Sequence, residues 1–243
     1  SAKLLWHLPF MLPRVSGEGF TAYQERQGYI SIGNFRHAPN WDAVLYLKNT
    51  IWPLIRKRQP DAYLEVYGAY PSPKAIRLDN VDQGFHVKGW VDDAHRVMRH
   101  ARICLAPLRF GAGLKGKLAD AMSCGTPNIT TGTGAEAMHG TLPWSGVNAD
   151  DPKTFASSAV ALYRSESQWC QAQETGVRNI NTLYDGARLG EQLLGRIADL
   201  RETLASHRLN NFAGAMLRHH TLQSTRYMAQ LIESKNRHNR DDK

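Results

Sequence analysis

The sequence has 243 residues, 42% of them hydrophobic, and a formal net charge of +8; such a chain buries one large or two small cores. No run of roughly 18 apolar residues occurs, which excludes a membrane-spanning helix. Its three cysteines (Cys104, Cys124 and Cys170) are odd in number and lack metal-ligand spacing, so they read as reduced thiols in or near a core of a cytoplasmic protein.

The apolar run 4–13 is short, twice interrupted by proline, and lacks a signal-peptide cleavage pattern. The chain begins with serine, so a segment is expected upstream. Residues 1–26 read as an extended connector, or the remnant of a missing N-terminal domain, with one short helical piece. Residues 28–33 predict a first strand and 34–39 the loop after it. Asn40 is expected to cap a long helix with apolar positions Val44, Leu47, Ile51, Trp52 and Ile55, kinked by Pro53 and ended by Pro60. Residues 63–67 form a second predicted strand closing at Gly68, and 84–87 a third leading to Gly89-Trp90. Asp92 is expected to cap a short helix ending at His100.

The run Ile103-Cys104-Leu105-Ala106 has the length of a buried strand. A glycine-punctuated loop, 109–113, follows it. An amphipathic helix is predicted over 114–124, stopped by Gly125 and Pro127. A strand over 127–130, a loop at Gly132-Thr133-Gly134, a short helix over 135–139 and a weak strand over 146–149 complete the alternation. Strands and helices joined by turns this short predict an α/β fold with a doubly wound parallel sheet. Ligands in such sheets bind beyond the carboxyl ends of the strands.

From Asp151 the pattern is helical only, over 152–164, 166–181, 186–206 and 210–235. Leu189, Leu193, Ile197, Leu200 and Leu204 recur at helical spacing in the third, and Phe212, Met216, Tyr227 and Leu231 in the last. The predicted domains are the connector 1–26, a Rossmann-like sheet domain 27–184 and a helical extension 185–243. Helices this long are expected to lean on a missing domain or on a second copy in a homodimer.

The candidate chemistry lies at one joint. Lys115 and Lys117 fall in the predicted first turn of helix 114–124, where exposed N–H groups already make the potential positive and acids are preferred. An anion in front of them would relieve that clash, and a glycine-rich loop feeding a helix N-terminus is suited to phosphate. Between Ala94 and Ala119 there is no acid, yet Arg96, Arg99, Arg102, Arg109, Lys115 and Lys117 occur. This field attracts phosphate-bearing partners, or is a solvated face matched by the basic tail 235–243. The sequence has no D-x-D, H-x-x-x-H or H-E-x-x-H pattern, and His219-His220 reads as a surface pair, so no metal site is expected. No nucleic-acid-binding module is recognised.

Four segments now fall in order: Gly33-Asn34-Phe35-Arg36-His37-Ala38-Pro39-Asn40; Val87-Lys88-Gly89-Trp90-Val91; the block from Pro107 through Lys115 and Lys117 to Met122; and Gly125-Thr126-Pro127 with Gly134-Ala135-Glu136. Together they resemble the C-terminal, donor-binding half of group 1 glycosyltransferases of the GT-B architecture, over residues 28–184. The resemblance implies one half of a GT-B fold that holds a nucleoside diphosphate sugar for transfer to a hydroxyl acceptor, with retention and without metal or cofactor. Lys115 and Lys117 would neutralise the departing diphosphate, with Gly33, Asn34 and Arg36 near it. Arg36 is alternatively a surface arginine. Asp120 stands where the family usually has a glutamate on the ribose hydroxyls, or pairs with Lys117 on the helix. Ala112 replaces a second glutamate that touches the sugar, leaving the backbone N–H groups of Ala112, Gly113 and Leu114 as sugar contacts. Gly89 offers backbone where the family holds the base, while the Trp90 indole is expected in the core rather than as a stacking plate for the base. Arg109 reaches the same anion or pairs with an acid in its loop. The acceptor domain is expected to be missing from this chain. The alternatives are a nucleotide-sugar epimerase of the same architecture and a non-catalytic nucleotide-binding module.

Overall fold

The computed structural model describes residues 6–217 and 221–241. They divide into two compact units, one spanning Pro9–Ala187 and the other drawn from both ends of the chain. The first is built on six strands: β1 (Gln27–Ile32), β2 (Leu64–Tyr67), β3 (Phe85–Gly89), β4 (Ala101–Ala106), β5 (Asn128–Thr130) and β6 (Gly146–Asn148). All neighbours pair in parallel, in the order β3-β2-β1-β4-β5-β6. The doubly wound sheet expected from the alternation is therefore present. Its order reverses between β1 and β4, which opens a crevice at their carboxyl ends.

Strand periodicity distributes the core. Tyr29, Leu64, Val66, Ile103, Leu105 and Ile129 enter one apolar cluster with Leu47, Ile51, Trp52, Ile55 and Phe155. The alternate positions Ile30 and Cys104 face Met98, Ala121 and Cys124 on the other side. Cys104 and Cys124 are buried, Cys170 is half-buried, and all three are free.

Between β1 and β2 the chain is one helical run: α1 (Ala38–Tyr46), a π-helical segment (Leu47–Ile51) and α2 (Trp52–Arg58). Pro53 lacks an N–H, and its ring crowds the preceding turn. The wider π turn just before it absorbs the misfit, in place of the simple kink expected. The helix also starts earlier than expected. His37 is the N-cap and Pro39 sits in the first turn, so Asn40 lies inside the helix rather than capping it.

A one-turn helix, α3 (Pro73–Ile76), falls in the loop before β3. The cap of α4 (Ala94–His100) is Asp93, whose carboxylate accepts from Arg96 N at 2.9 Å, and not Asp92. Asp92 instead accepts from the Trp90 indole at 3.0 Å, and Trp90 is 69% exposed. The expectation of a core indole is thereby corrected. Its N–H is tied to a solvent-side acid just beyond β3, an edge strand. After β4, helix α5 spans Gly116–Ser123, shorter at both ends than expected. The glycine loop after β5 is itself a helical turn, α6 (Gly132–Ala135), capped by the Thr131 hydroxyl.

Helices α7 (Pro152–Arg164) and α8 (Glu166–Leu183) close this unit. Residues 9–26 run beside it. Leu12 N donates to Tyr184 O at 2.8 Å and Leu12 O accepts from Gly186 N at 2.9 Å. The Asn181 amide exchanges two further bonds with the Val15 backbone. Arg26, fully buried, donates to Thr21 O, Thr126 Oγ1 and Cys124 O at 2.7–2.9 Å. Burial lowers its guanidinium to about 10. The second unit contains α9 (Gly186–Glu202), α10 (Leu204–Asn210), α11 (Phe212–Leu217) and α12 (Thr221–Asp241); the helix expected over 186–206 ends at Glu202, and the one expected from 210 starts at Phe212. The Asn211 side chain accepts from Gly214 N and starts a new helix there.

Truncating the buried guanidinium leaves several acceptors unpaired at once. Arg26→Met is expected to destabilise the protein by about 3 kcal/mol in urea unfolding. Arg26→Lys is expected to recover only part of that loss, because an ammonium cannot reproduce the fork.

Candidate functional site

A cavity of about 410 Å³ opens at the carboxyl ends of β1 and β4, where the sheet order reverses. Gly33 and the start of α1 form one wall, the loop from Leu108 to Lys115 and the first turns of α5 another, and Ala94 and Met98 of α4 a third. Six of the residues singled out from sequence line it: Gly33, Ala112, Leu114, Lys115, Lys117 and Asp120.

Lys115 is the N-cap of α5 rather than a first-turn residue, with extended-like φ −98° and ψ 89°. Its backbone N–H meets Met138 Sδ at 3.2 Å. The side chain is only 7% exposed, and its Nζ has no hydrogen-bond partner among the described residues. Lys117, half-buried in the first turn of α5, donates from Nζ to Asn40 Oδ1 at 2.7 Å. Desolvation pulls its ammonium down from the ordinary 10.5 to about 8.

The close approach also explains Gly33. A Cβ there would lie 2.7 Å from both Lys117 Nζ and the Asn40 side chain. Asp120, one turn further on, makes no pair with Lys117. It approaches His95 Nε2 of α4 at 3.6 Å, and both side chains are over 40% exposed. In the loop wall, Ala112 and Leu114 face the cavity from either side of Gly113, which turns the chain at φ +74°.

The remaining residues singled out from sequence lie off the cavity wall. Arg109 donates from Nε to Asp42 Oδ2 at 2.9 Å and lies 4.8 Å from the Tyr46 ring. Its acid comes from α1, not from its own loop. Arg36 stacks 4.1 Å over Tyr70, a residue held at φ +57°. Asn34 turns inward on its own loop, accepting from Arg36 N through Oδ1 and from Asn40 Nδ2 through its carbonyl. Gly89 ends β3, two strands from the reversal, and its carbonyl accepts from Gly68 N at 2.7 Å. His219 and His220 lie outside the described residues. Among the described residues no group of three or more His, Cys, Asp or Glu side chains gathers, and no helix is long and apolar enough to cross a membrane.

Two polar wall residues, Asn40 and His37, were not anticipated as part of the site. The available signal was Pro39: proline favours the first helical turn, which moves the cap upstream and frees the Asn40 amide to face inward.

The family model for glycosyl transferases group 1 matches residues 26–165. No curated protein matches the sequence. Among solved structures, a mutant of S. aureus TarM in complex with Fondaparinux, alpha-GlcNAc-glycerol and UDP superposes with a TM-score of 0.61 at 12% identity, covering 76% of this chain and 38% of that one. The pneumococcal O-GlcNAc transferase GtfA in complex with UDP and GlcNAc gives 0.56 at 13% identity, covering 79% and 38%. WaaG, a glycosyltransferase involved in lipopolysaccharide biosynthesis, gives 0.52 at 16%, covering 76% and 54%. The likeness is one of fold, and the chain spans about two fifths of the length of the first of these.

A buried ammonium without a partner burdens the fold. Lys115→Met, similar in length but uncharged, is expected to raise stability by on the order of 1–2 kcal/mol in urea unfolding. A loss of stability in that variant would mean that the ammonium has an internal partner after all.

Proposed function

The chain belongs to the glycosyl transferases group 1, and on that premise we propose that its β1–β4 cavity binds the donor, a nucleoside diphosphate sugar. The observation that carries the reading is the pair of lysines lining one cavity, neither of them paired with a carboxylate among the described residues. A diphosphate supplies the missing anion. When the bond from the anomeric carbon to the diphosphate oxygen breaks, its electron pair leaves on the diphosphate. Cations beside the diphosphate stabilise that charge.

In this reading Lys115 and Lys117 hold the diphosphate and Asp120 accepts from the ribose hydroxyls. The backbone N–H groups of Ala112 and Leu114 meet the sugar. As the family resemblance implies, the proposed transfer proceeds with retention and without a divalent metal or other cofactor. The hydroxyl acceptor is bound by protein beyond these 243 residues, in keeping with the chain's coverage of 38% of the longer neighbours. The chain alone is then expected to bind donor but turn it over slowly.

Calorimetric titration with UDP, GDP and ADP tests the reading directly. At least one of them is expected to bind, and Lys117→Ala to weaken that binding by about 1–3 kcal/mol. Equal affinity in wild type and variant would refute the assignment, and rapid glycosyl transfer by this chain unaided would refute the placing of the acceptor site outside it.

The pH dependence has a definite sign. Ligand-free Lys117 titrates at about 8, and a bound diphosphate raises that value by favouring the ammonium. Binding near pH 8–9 therefore takes up a proton, and affinity falls as pH rises through about 8. Calorimetry in buffers of different ionisation enthalpy measures the uptake. No uptake, or an affinity that rises with pH across this window, contradicts the expectation.

A further inference from the structure

The Asn40 side chain has both ends engaged. Its Oδ1 accepts from Lys117 Nζ at 2.7 Å, and its Nδ2 donates to the Asn34 carbonyl at 3.1 Å. The second bond fixes which end of the amide faces the ammonium, because only the oxygen can accept. Gly33, lacking a Cβ, leaves room for the two side chains to meet.

The same helix shows the alternative arrangement two residues on. Asp42 binds Arg109 through a carboxylate, which cancels the guanidinium charge. Asn40 uses an uncharged oxygen, which orients a cation and leaves its charge available. We propose that Asn40 is a positioning residue, holding the Lys117 ammonium at the cavity wall by a neutral clamp so that its charge stays uncompensated for an anionic ligand. The role of the ligand rests on the reading of this cavity as the diphosphate site; the clamp itself rests on the geometry alone.

The other groups around the ammonium do not supply a counter-charge. The Cys104 thiol lies nearby on β4, buried and raised to about 12, so it is neutral at ordinary pH. His37 lines the cavity from the start of α1 and Lys115 from the cap of α5. Asp120, on α5 itself, is turned toward His95 of α4. Among the described residues no carboxylate comes within ion-pair distance of Lys117 Nζ.

The test uses Asn40→Asp, nearly identical in shape and favourable in a first helical turn, together with Asn40→Ala. In the ligand-free protein, the pH dependence of Lys117 acylation, read by mass spectrometry, gives the midpoint of its titration. Wild type is expected near 8. Asn40→Asp is expected to move the midpoint above about 9, because an opposite charge at this distance favours the ammonium. At pH 7 the same variant is expected to bind UDP at least about tenfold more weakly, since the new carboxylate both cancels the cation and faces the anion. Asn40→Ala is expected to weaken UDP binding by about three- to tenfold through loss of orientation. A midpoint unmoved in Asn40→Asp overturns the clamp, as does UDP affinity unchanged in both variants while wild type binds. If wild type and both variants all ignore nucleoside diphosphates, the diphosphate reading fails, and the acylation midpoint still decides whether the clamp holds.

Discussion

Two lysine ammonium groups that have no counter-charge among the described residues, at the reversal of a parallel sheet, are the constraint on which the rest of the cavity depends. Burying such groups is unfavourable, and among the described residues nothing compensates it directly. Lys115 has no hydrogen-bond partner there, and Lys117 has a neutral one. The surroundings are shaped to tolerate this. Gly33 gives up its side chain to make space, and Asn40 lends an amide oxygen. The acid of α1, Asp42, is occupied by Arg109. On the proposed reading, this positive potential is what an anionic ligand meets.

The sheet supplies the position. In parallel strands the apolar side chains face both layers of helices, so the interior of the sheet leaves no room for a ligand. Ile103 and Leu105 pack on one side and Cys104 on the other. Open space arises only beyond the strand ends, and it is widest where successive connections run to opposite sides. Between β1 and β4 the chain leaves in two directions, and the loops after them bring Gly33 and Asn40 against Lys115 and Lys117. Residues 77 positions apart in sequence thereby share one hydrogen bond.

Much of the fold was legible because it depends on local pattern. The run Ile103–Ala106 and the helix over 152–164 follow directly from apolar spacing and proline. Membership in the group 1 glycosyl transferases was legible too, since its glycine clusters and the Lys115–Pro127 block lie in order. What local pattern does not carry is the identity of partners brought together by the sheet. Arg109 looked available for an anion until Asp42, on another element, was placed beside it. Trp90 looked like core because indoles are large and apolar, yet it follows an edge strand and reaches Asp92 at the surface. Asn40 looked like a cap because asparagine favours caps, and the earlier start of α1 turned it into a site residue.

The helix boundary at Lys115 bears on the chemistry more than its two-residue shift suggests. In a regular helix, residues two apart point about 200° away from each other, so Lys115 and Lys117 in one first turn cannot both face a single cavity. With α5 starting at Gly116, Lys115 takes φ −98° and ψ 89° and leaves the helical course. Lys115 then lines the cavity from the loop while Lys117 lines it from the helix. The glycines on either side serve the same end: Gly113 at φ +74° turns the loop, and Gly116 begins the helix without a side chain to crowd the entrance. With Lys115 as the cap and Gly116 as the first residue of α5, the K-G-K spacing at 115–117 puts one lysine just outside the helix and the other in its first turn.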